Sequence, residues 1–401
     1  IEAKFGTSIN SELKNRRSNE ENFQKVYSNQ MALSLSQNLF NGLGTTYRIK
    51  SAEAQTIANR FKVYNTEQEI LMKTVEAYLN LWEAQQEVII CRKMCENLAE
   101  CLKASEEQLK VGVTKRQDYE SFKSSHAEAE YRLIAAKAQV EIAKSTLKQY
   151  TCKNFDGETV LPPVPSITPD SLNRILESEI KNSPSLISAK YSKYAYEHSI
   201  SVSKSAFSPS LDLNSNISRD LVYKDMNHYG ASETVNNGHS KNDSYSVSAS
   251  VTLPIWVNNG NNYFANLRKT KSEYLSASYS LEATQNEIIQ QATQLWYSYV
   301  SSKAQIKQGA ISVKSAEISA EGYKKEEEFG TKSATDVVYN ENELLKRRSQ
   351  YIDAQKNYVL SAYRLLALIG KLSPEFLGIS VPLHDLEKNE KRVKYAPMIL
   401  N

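Results

Sequence analysis

Two aspartates stand at matching places in this chain. Asp118 follows Val111-Gly112, and Asp336 follows Phe329-Gly330 about 218 residues later. Near them in sequence lie Gln117, Glu327, Lys332 and Tyr339, groups able to donate, accept or repel. A carboxylate just past a turn has one simple task, which is to satisfy free N–H groups and the positive end of a helix dipole. No catalytic constellation gathers around either aspartate. The chain has no glycine-rich phosphate loop, no metal-ligand cluster and no nucleophile motif, so neither an enzyme nor a cofactor is expected.

The thiols are Cys91, Cys95, Cys101 and Cys152. The first three fall in one expected helix. Two cysteines of one straight helix rarely reach disulfide geometry, and the spacing of Cys91, Cys95 and Cys101 follows no zinc pattern. They read as small apolar seam residues. His126 also falls on a helical seam and has no second ligand one turn away, so it reads as a packed histidine.

Those positions belong to a duplicated frame. Ala32–Phe40 returns as Ser248–Trp256, Tyr78 returns as Trp296, and each tip returns with its glycine and its aspartate. The repeat of about 217 residues carries the order strand pair, very long helix, tip, return helix. The expected segments are a first strand pair over 1–42, a long helix, tip and return helix over 43–151, and a linker with a short helix over 152–184. An ascending helix follows over 185–207, then a second strand pair over 208–257, the second long helix, tip and return over 258–369, and a terminal segment over 370–401.

Four segments alternate with apolar residues at odd positions. They are Ile1, Ala3, Phe5, Ile9 and Leu13; Met31, Leu33, Leu35 and Leu39; Leu211, Leu213, Ile217 and Leu221; and Tyr245, Val247, Ala249, Val251, Leu253 and Ile255. Period two gives each strand one apolar and one polar face. The polar stretches Lys14–Asn22 and Arg219–Ser244 read as the connecting loops. Strands of about 10 to 13 residues can cross a tilted bilayer, and no other apolar layer is available to cover them. A spanning sheet must close, and four strands cannot, since single-chain barrels begin at about eight. Several copies must pool strands, and three copies give about twelve.

After Gly44 come about 67 residues without proline, and after Gly260 about 69, each enough for a helix of roughly 100 Å. The first carries a seam of Val88, Cys91, Cys95, Leu98, Leu102 and Leu109. Its return helix carries Tyr119, Phe122, His126, Ala129, Leu133, Ala136, Val140, Ala143, Leu147 and Tyr150, a three-four alternation of coiled-coil type. The second return helix gives Val337, Asn340, Leu344, Arg347, Tyr351, Ala354, Tyr358, Ser361, Leu365 and Leu368. Being more polar, that pair is expected to be held less tightly. Leu161–Pro169 reads as a rigid connector, Ser171–Lys181 as a short helix capped by Asp170, and the stretch from Glu387 as a loose tail.

Gly (13) and Pro (10) are few for a mostly β protein, so helix should dominate. The net charge of +3 is spread along the chain and marks no nucleic-acid binder. No apolar run approaches the roughly 20 residues of a membrane helix, so any crossing uses strands. Ile1 is preceded by no targeting signal, which reads as a trimmed start.

The strand-to-helix junctions Leu35–Gly42 and Val251–Gly260, with the tips Val111–Asp118 and Phe329–Asp336, resemble the TolC-like outer-membrane efflux proteins over nearly the whole chain. The resemblance implies a homotrimer with a twelve-stranded barrel in the outer-membrane lipid and a coiled-coil α-helical tunnel in the periplasm. It implies an exit duct for small molecules or proteins, completed by a periplasmic adaptor and an inner-membrane RND or ABC transporter. A dedicated type I protein-secretion or metal-efflux duct is the alternative within that class, and an extended coiled-coil scaffold the alternative outside it. The family's helices before the first strand have no counterpart here.

Site roles follow from the same resemblance. Val111, Gly112, Val113, Thr114, Phe329, Gly330 and Thr331 match the tips that dock the adaptor. Asp118, with Gln117 beside it, matches the acid that holds the closed gate. The gate's Arg and Tyr positions hold Lys332 and Glu327. Lys can pair with Asp118, but without Arg's fork, while Glu327 would repel it. Of the paired acids that ring the narrow end, Asp336 is kept and Tyr339 replaces the second.

Overall fold

The computed structural model describes residues 2–15, 21–165, 171–228, 238–254, 260–378 and 388. Ile1, Asp170, Ile255, Trp256, the connector from 166 onward and the tail except Lys388 lie outside the described residues. The elements are β1 (Glu2–Asn15), β2 (Glu21–Asn41), α1 (Gly44–Lys110), α2 (Arg116–Thr151), α3 (Leu172–Arg174), α4 (Pro184–Ser205), β3 (Ser210–His228), β4 (Gly238–Thr252), α5 (Gly260–Glu328) and α6 (Ala334–Leu368). Among the described residues no helix is long and apolar enough to cross a membrane. Two compact units result, Ile1–Gln55 with Lys193–Ser278 and Thr56–Ser192 with Tyr279–Asn401.

The first unit is built on an antiparallel sheet in the order β1-β2-β3-β4. Its register joins the odd-numbered residues of all four strands on one face: Ala3 opposes Leu33, Leu33 opposes Ile217, and Ile217 opposes Tyr245. Met31, Leu33, Leu35, Ile217, Tyr245, Val247 and Val251 are all exposed on that face. The opposite face is a ladder of polar pairs. Ser34 donates to Asn216 at 2.9 Å, Ser36 to Asn214 at 2.8 Å and Asn38 to Asp212 at 2.7 Å. A bulge between Asn38 and Phe40 then shifts the register, so that Phe40 opposes Leu211. Leu39 is the extra residue, and Phe40 takes the place that strict alternation assigns to it.

The expected loops are shorter than their polarity suggests. Lys14, Asn15, Glu21 and Asn22 are strand residues, and Arg219–His228 and Gly238–Ser244 continue β3 and β4. A ladder is held by backbone hydrogen bonds and tolerates polar side chains wherever water reaches them. Arg219 pairs bidentately with its cross-strand neighbour Asp243, at 2.7 and 3.1 Å. Small polar residues hold the helices of this unit together. Ser51 donates to Ala195 O at 2.8 Å, and Ser203 and Thr270 share a buried hydrogen bond of 2.9 Å.

In the second unit every seam position of α2 is buried or half-buried, with Phe122, Ala129, Ala136, Ala143 and Leu147 buried. Alanine at heptad spacing lets the backbones of two helices approach closely. The α1 seam is wider than expected, because Met94 and Cys101 are buried beside Leu98. This second stripe packs on Phe122 and Ala129 of α2 and on Ala334 and Val337 of α6.

Besides the polar seam of the α5–α6 pair, α6 has a second partner in α1. Beyond its polar seam α6 buries Glu341, Ile352, Val359, Leu360 and Leu366. It is tied to α1 by Lys356–Glu83 at 2.7 Å, Arg364–Glu76 at 3.1 Å and Ser349–Glu87 at 2.9 Å. A single three-four stripe predicts one partner, but α6 uses two faces. The linker after α2 also lies on α1: the Tyr78 hydroxyl donates to Val160 O at 3.0 Å, and Gln85 Oε1 accepts from Thr159 N at 2.8 Å.

The expected short helix is irregular. Leu172–Arg174 passes into π-helical Ile175–Glu179 and a 3-10 turn at Ile180–Asn182. Ser171 supplies the cap assigned to Asp170, accepting from Arg174 N at 3.4 Å. Ile175 and Ile180 are buried against Ile288, Ala292, Leu365 and Ile369, so packing sets the winding here.

Candidate functional site: two helix-turn tips

The two tips are made the same way. α1 ends with Gly112 N donating to Leu109 O at 3.1 Å and Val113 N to Gln108 O at 2.9 Å. α5 ends with Gly330 N donating to Glu327 O at 2.8 Å and Thr331 N to Glu326 O at 2.9 Å. These are paired helix-ending bonds around a left-handed residue. Gly112 has φ 76° and Gly330 φ 75°, where a side chain is strained. A Cβ added at either glycine would meet nothing within 4 Å, so both backbones are open to an approaching partner. Val111, Val113 and Phe329 stand 74%, 76% and 81% exposed beside them. Thr114 is half-buried and Thr331 exposed, Thr331 donating its hydroxyl to Glu326 O at 2.8 Å.

The two aspartates differ. Asp336 completes a capping box: its Oδ2 accepts from Ser333 N at 3.1 Å and Ser333 Oγ at 2.8 Å, and its own N–H donates to Ser333 Oγ at 3.3 Å. Those bonds hold its carboxyl below the usual range, with Lys332 adding to the effect. Asp118 lies half-buried in the first turn of α2, where position 115 is lysine and no side chain caps the helix. Capping is thus the local role of Asp336, while Asp118 makes no such box.

Within the chain Lys332 makes no ion pair with Asp118. Its Nζ lies over the Tyr323 ring, 5.0 Å from the centre. Glu327 has its carboxyl pushed up by burial first, then by Glu328 and Asp118. It therefore stands near Asp118 as a repelling charge. Gln117 and Tyr339 are exposed, Tyr339 at 68%.

Sequence reading missed three features here, one set by side-chain rotamers within a single tip and two that join helices distant in sequence. They are the Lys332–Tyr323 contact, the Lys324–Glu100 ion pair at 2.9 Å, and the amide of Asn97, which donates to both oxygens of buried Glu341 at 3.1 and 3.3 Å.

The chain is similar to outer membrane efflux protein BepC of Brucella suis biovar 1 (strain 1330). The two are 24% identical over 91% of this chain and 77% of BepC. It is also similar to outer membrane protein TolC of Vibrio cholerae serotype O1, 22% identical over 77% of this chain and 69% of that protein. Among solved structures, the CmeC outer membrane channel of Campylobacter jejuni superposes with a TM-score of 0.73 and 16% identity, covering 98% of this chain and 81% of that one. Residues 4–152 and 175–371 match the family described as outer membrane efflux protein. The chain belongs to that family.

Proposed function

We propose that three copies of this outer-membrane efflux protein pool their sheets into a twelve-stranded barrel and serve as the exit duct of a tripartite pump. The observation that carries this reading is the sheet itself. Among the described residues it has two unpaired edges, β1 and β4, and its odd-numbered face is an exposed apolar layer across β2, β3 and β4. Lipid satisfies the apolar face, but no solvent there satisfies a strand edge. Pairing β4 of one copy with β1 of the next removes every edge and leaves the Ser34–Asn216 and Asn38–Asp212 ladder facing a polar lumen.

The tips are the surfaces offered to a periplasmic adaptor, which links the duct to an inner-membrane RND or ABC transporter. Val111, Gly112, Val113, Thr114, Phe329, Gly330 and Thr331 make that contact. Asp118, Gln117, Glu327, Lys332, Asp336 and Tyr339 line the narrow end. Energy comes from the inner-membrane partner, so these residues only open, close and select. The test is cross-linking in cells through a photoreactive residue at position 113 or 329, followed by identification of the product. A periplasmic adaptor is the expected product, and cross-links confined to other copies of this chain would refute the docking assignment.

A further inference from the structure

The α1–α2 seam brings together two donors that the sequence separates. Cys95 Sγ lies 3.9 Å from His126 Nε2, and both side chains are half-buried, within reach of solvent. That separation is at the outer limit of a hydrogen bond to sulfur, and it is also close to the span of one bridging ion. With a thiolate bond of about 2.3 Å and an imidazole bond of about 2.0 Å, a linear bridge spans about 4.3 Å, so a side-chain shift of about 0.4 Å straightens it. Burial, then Glu130 and Glu96, raise the Cys95 thiol above its usual range, with Lys137 opposing them; the same two carboxylates place negative charge near a bound cation.

We propose that Cys95 and His126 form a clamp for a soft monovalent metal ion of the Cu(I) or Ag(I) type, held between α1 and α2. The donor count sets the class. No group of three or more His, Cys, Asp or Glu among the described residues could hold a metal, so tetrahedral zinc is not served. Calcium and magnesium need more oxygens than the site offers. Thiolate and imidazole together suit a soft ion satisfied by two ligands. As the ion binds, the Sγ–H bond breaks, an Sγ–metal bond forms, and the proton leaves to water; Nε2 supplies its lone pair and no electron is transferred.

The other thiols are poorer competitors. Cys91 and Cys101 are buried, and burial pushes each up to about 11. Cys91 also lies 3.9 Å from a Glu87 oxygen, which favours its protonated form. Cys152 is exposed, at the left-handed residue that ends α2.

The experiment titrates the purified full chain with silver nitrate in chloride-free buffer against a competing chromophoric ligand, in a Cys152→Ser background. One tight ion per chain is expected. Cys95→Ser should lose it, and His126→Ala, which keeps the thiol, should bind at least tenfold more weakly. Silver should also slow amide exchange in 91–99 and 122–130 of the parent and in neither variant, the sign of an ion joining two helices. Equal affinity in parent and His126→Ala, no tight ion in the parent, or equal slowing in Cys95→Ser would each overturn the proposal and leave a thiol–imidazole packing contact only.

Discussion

Asn97 of α1 donates its amide to both carboxylate oxygens of Glu341 on α6, a residue only 6% exposed. A buried carboxylate needs such donors, because desolvation without them costs more than the bond returns. Asn97→Leu alone should therefore destabilise the helical unit by about 1–3 kcal/mol. Adding Glu341→Leu should recover most of the loss, since both polar partners are then gone. Thermal unfolding of the two variants measures this, and additive losses would show that the pair is not coupled.

The sheet makes a second prediction. Leu35 lies on the exposed apolar face and Ser34 on the polar one, where it donates to Asn216. Leu35→Arg should impair membrane assembly by about 2–4 kcal/mol near the bilayer midplane, with a far smaller effect for Ser34→Arg. The readout is the yield of heat-modifiable oligomer in the membrane fraction. Equal yields from both variants would reverse the assignment of faces.

The tips make the third. Gly112→Ala with Gly330→Ala introduces left-handed strain, about 1–2 kcal/mol at each site, with little added bulk. Gly112→Trp with Gly330→Trp adds bulk where a new side chain first meets open space. Export should survive the alanine pair in large part and fail in the tryptophan pair, with oligomer formation intact in both. Export that survives both pairs would place docking elsewhere.

Glu327 gives a pH dependence. Its carboxyl is raised in the folded chain, so the folded state binds the proton more tightly than the unfolded state. Its contribution is fully present below the ordinary glutamate range and is lost as pH rises through the raised value. Glu327→Gln should therefore raise the melting temperature slightly at pH 7 and leave it unchanged at pH 4. The gain should not exceed about 0.5 kcal/mol, because the group is only half-buried and screened. An equal gain at both pH values would mean that neither burial nor its acidic neighbours raise this carboxyl in the folded chain.

The fold was legible wherever one periodicity dominated. Period two found the odd face of the strands, and the three-four alternation found the α2 seam, because each records burial against a single neighbour. It failed where an element has two neighbours or a local irregularity. The second face of α6, with Glu341 and Ile352, carries no separate period. The bulge at Leu39 displaces Phe40 without any change in composition. Strand length was underestimated because polar Arg219 and Asp243 suggest a loop to the eye, whereas their backbones pair all the same. At the tips, Gly112 and Gly330 announced the turns. Partners such as Tyr323 for Lys332 depend on which rotamers the helices allow, and no spacing rule reports that.

Planar-bilayer recording of the purified oligomer shows whether these sheets pool into a pore. A pooled barrel should give discrete conductance steps with modest cation preference, set by Asp336 carboxylates around the narrow end. Asp336→Asn should lower that preference, and Asp118→Ala should raise conductance. An oligomer that inserts but gives no unit steps would rule out the pooled pore, and ion preference and conductance unchanged in both variants would remove Asp336 and Asp118 from the narrow end.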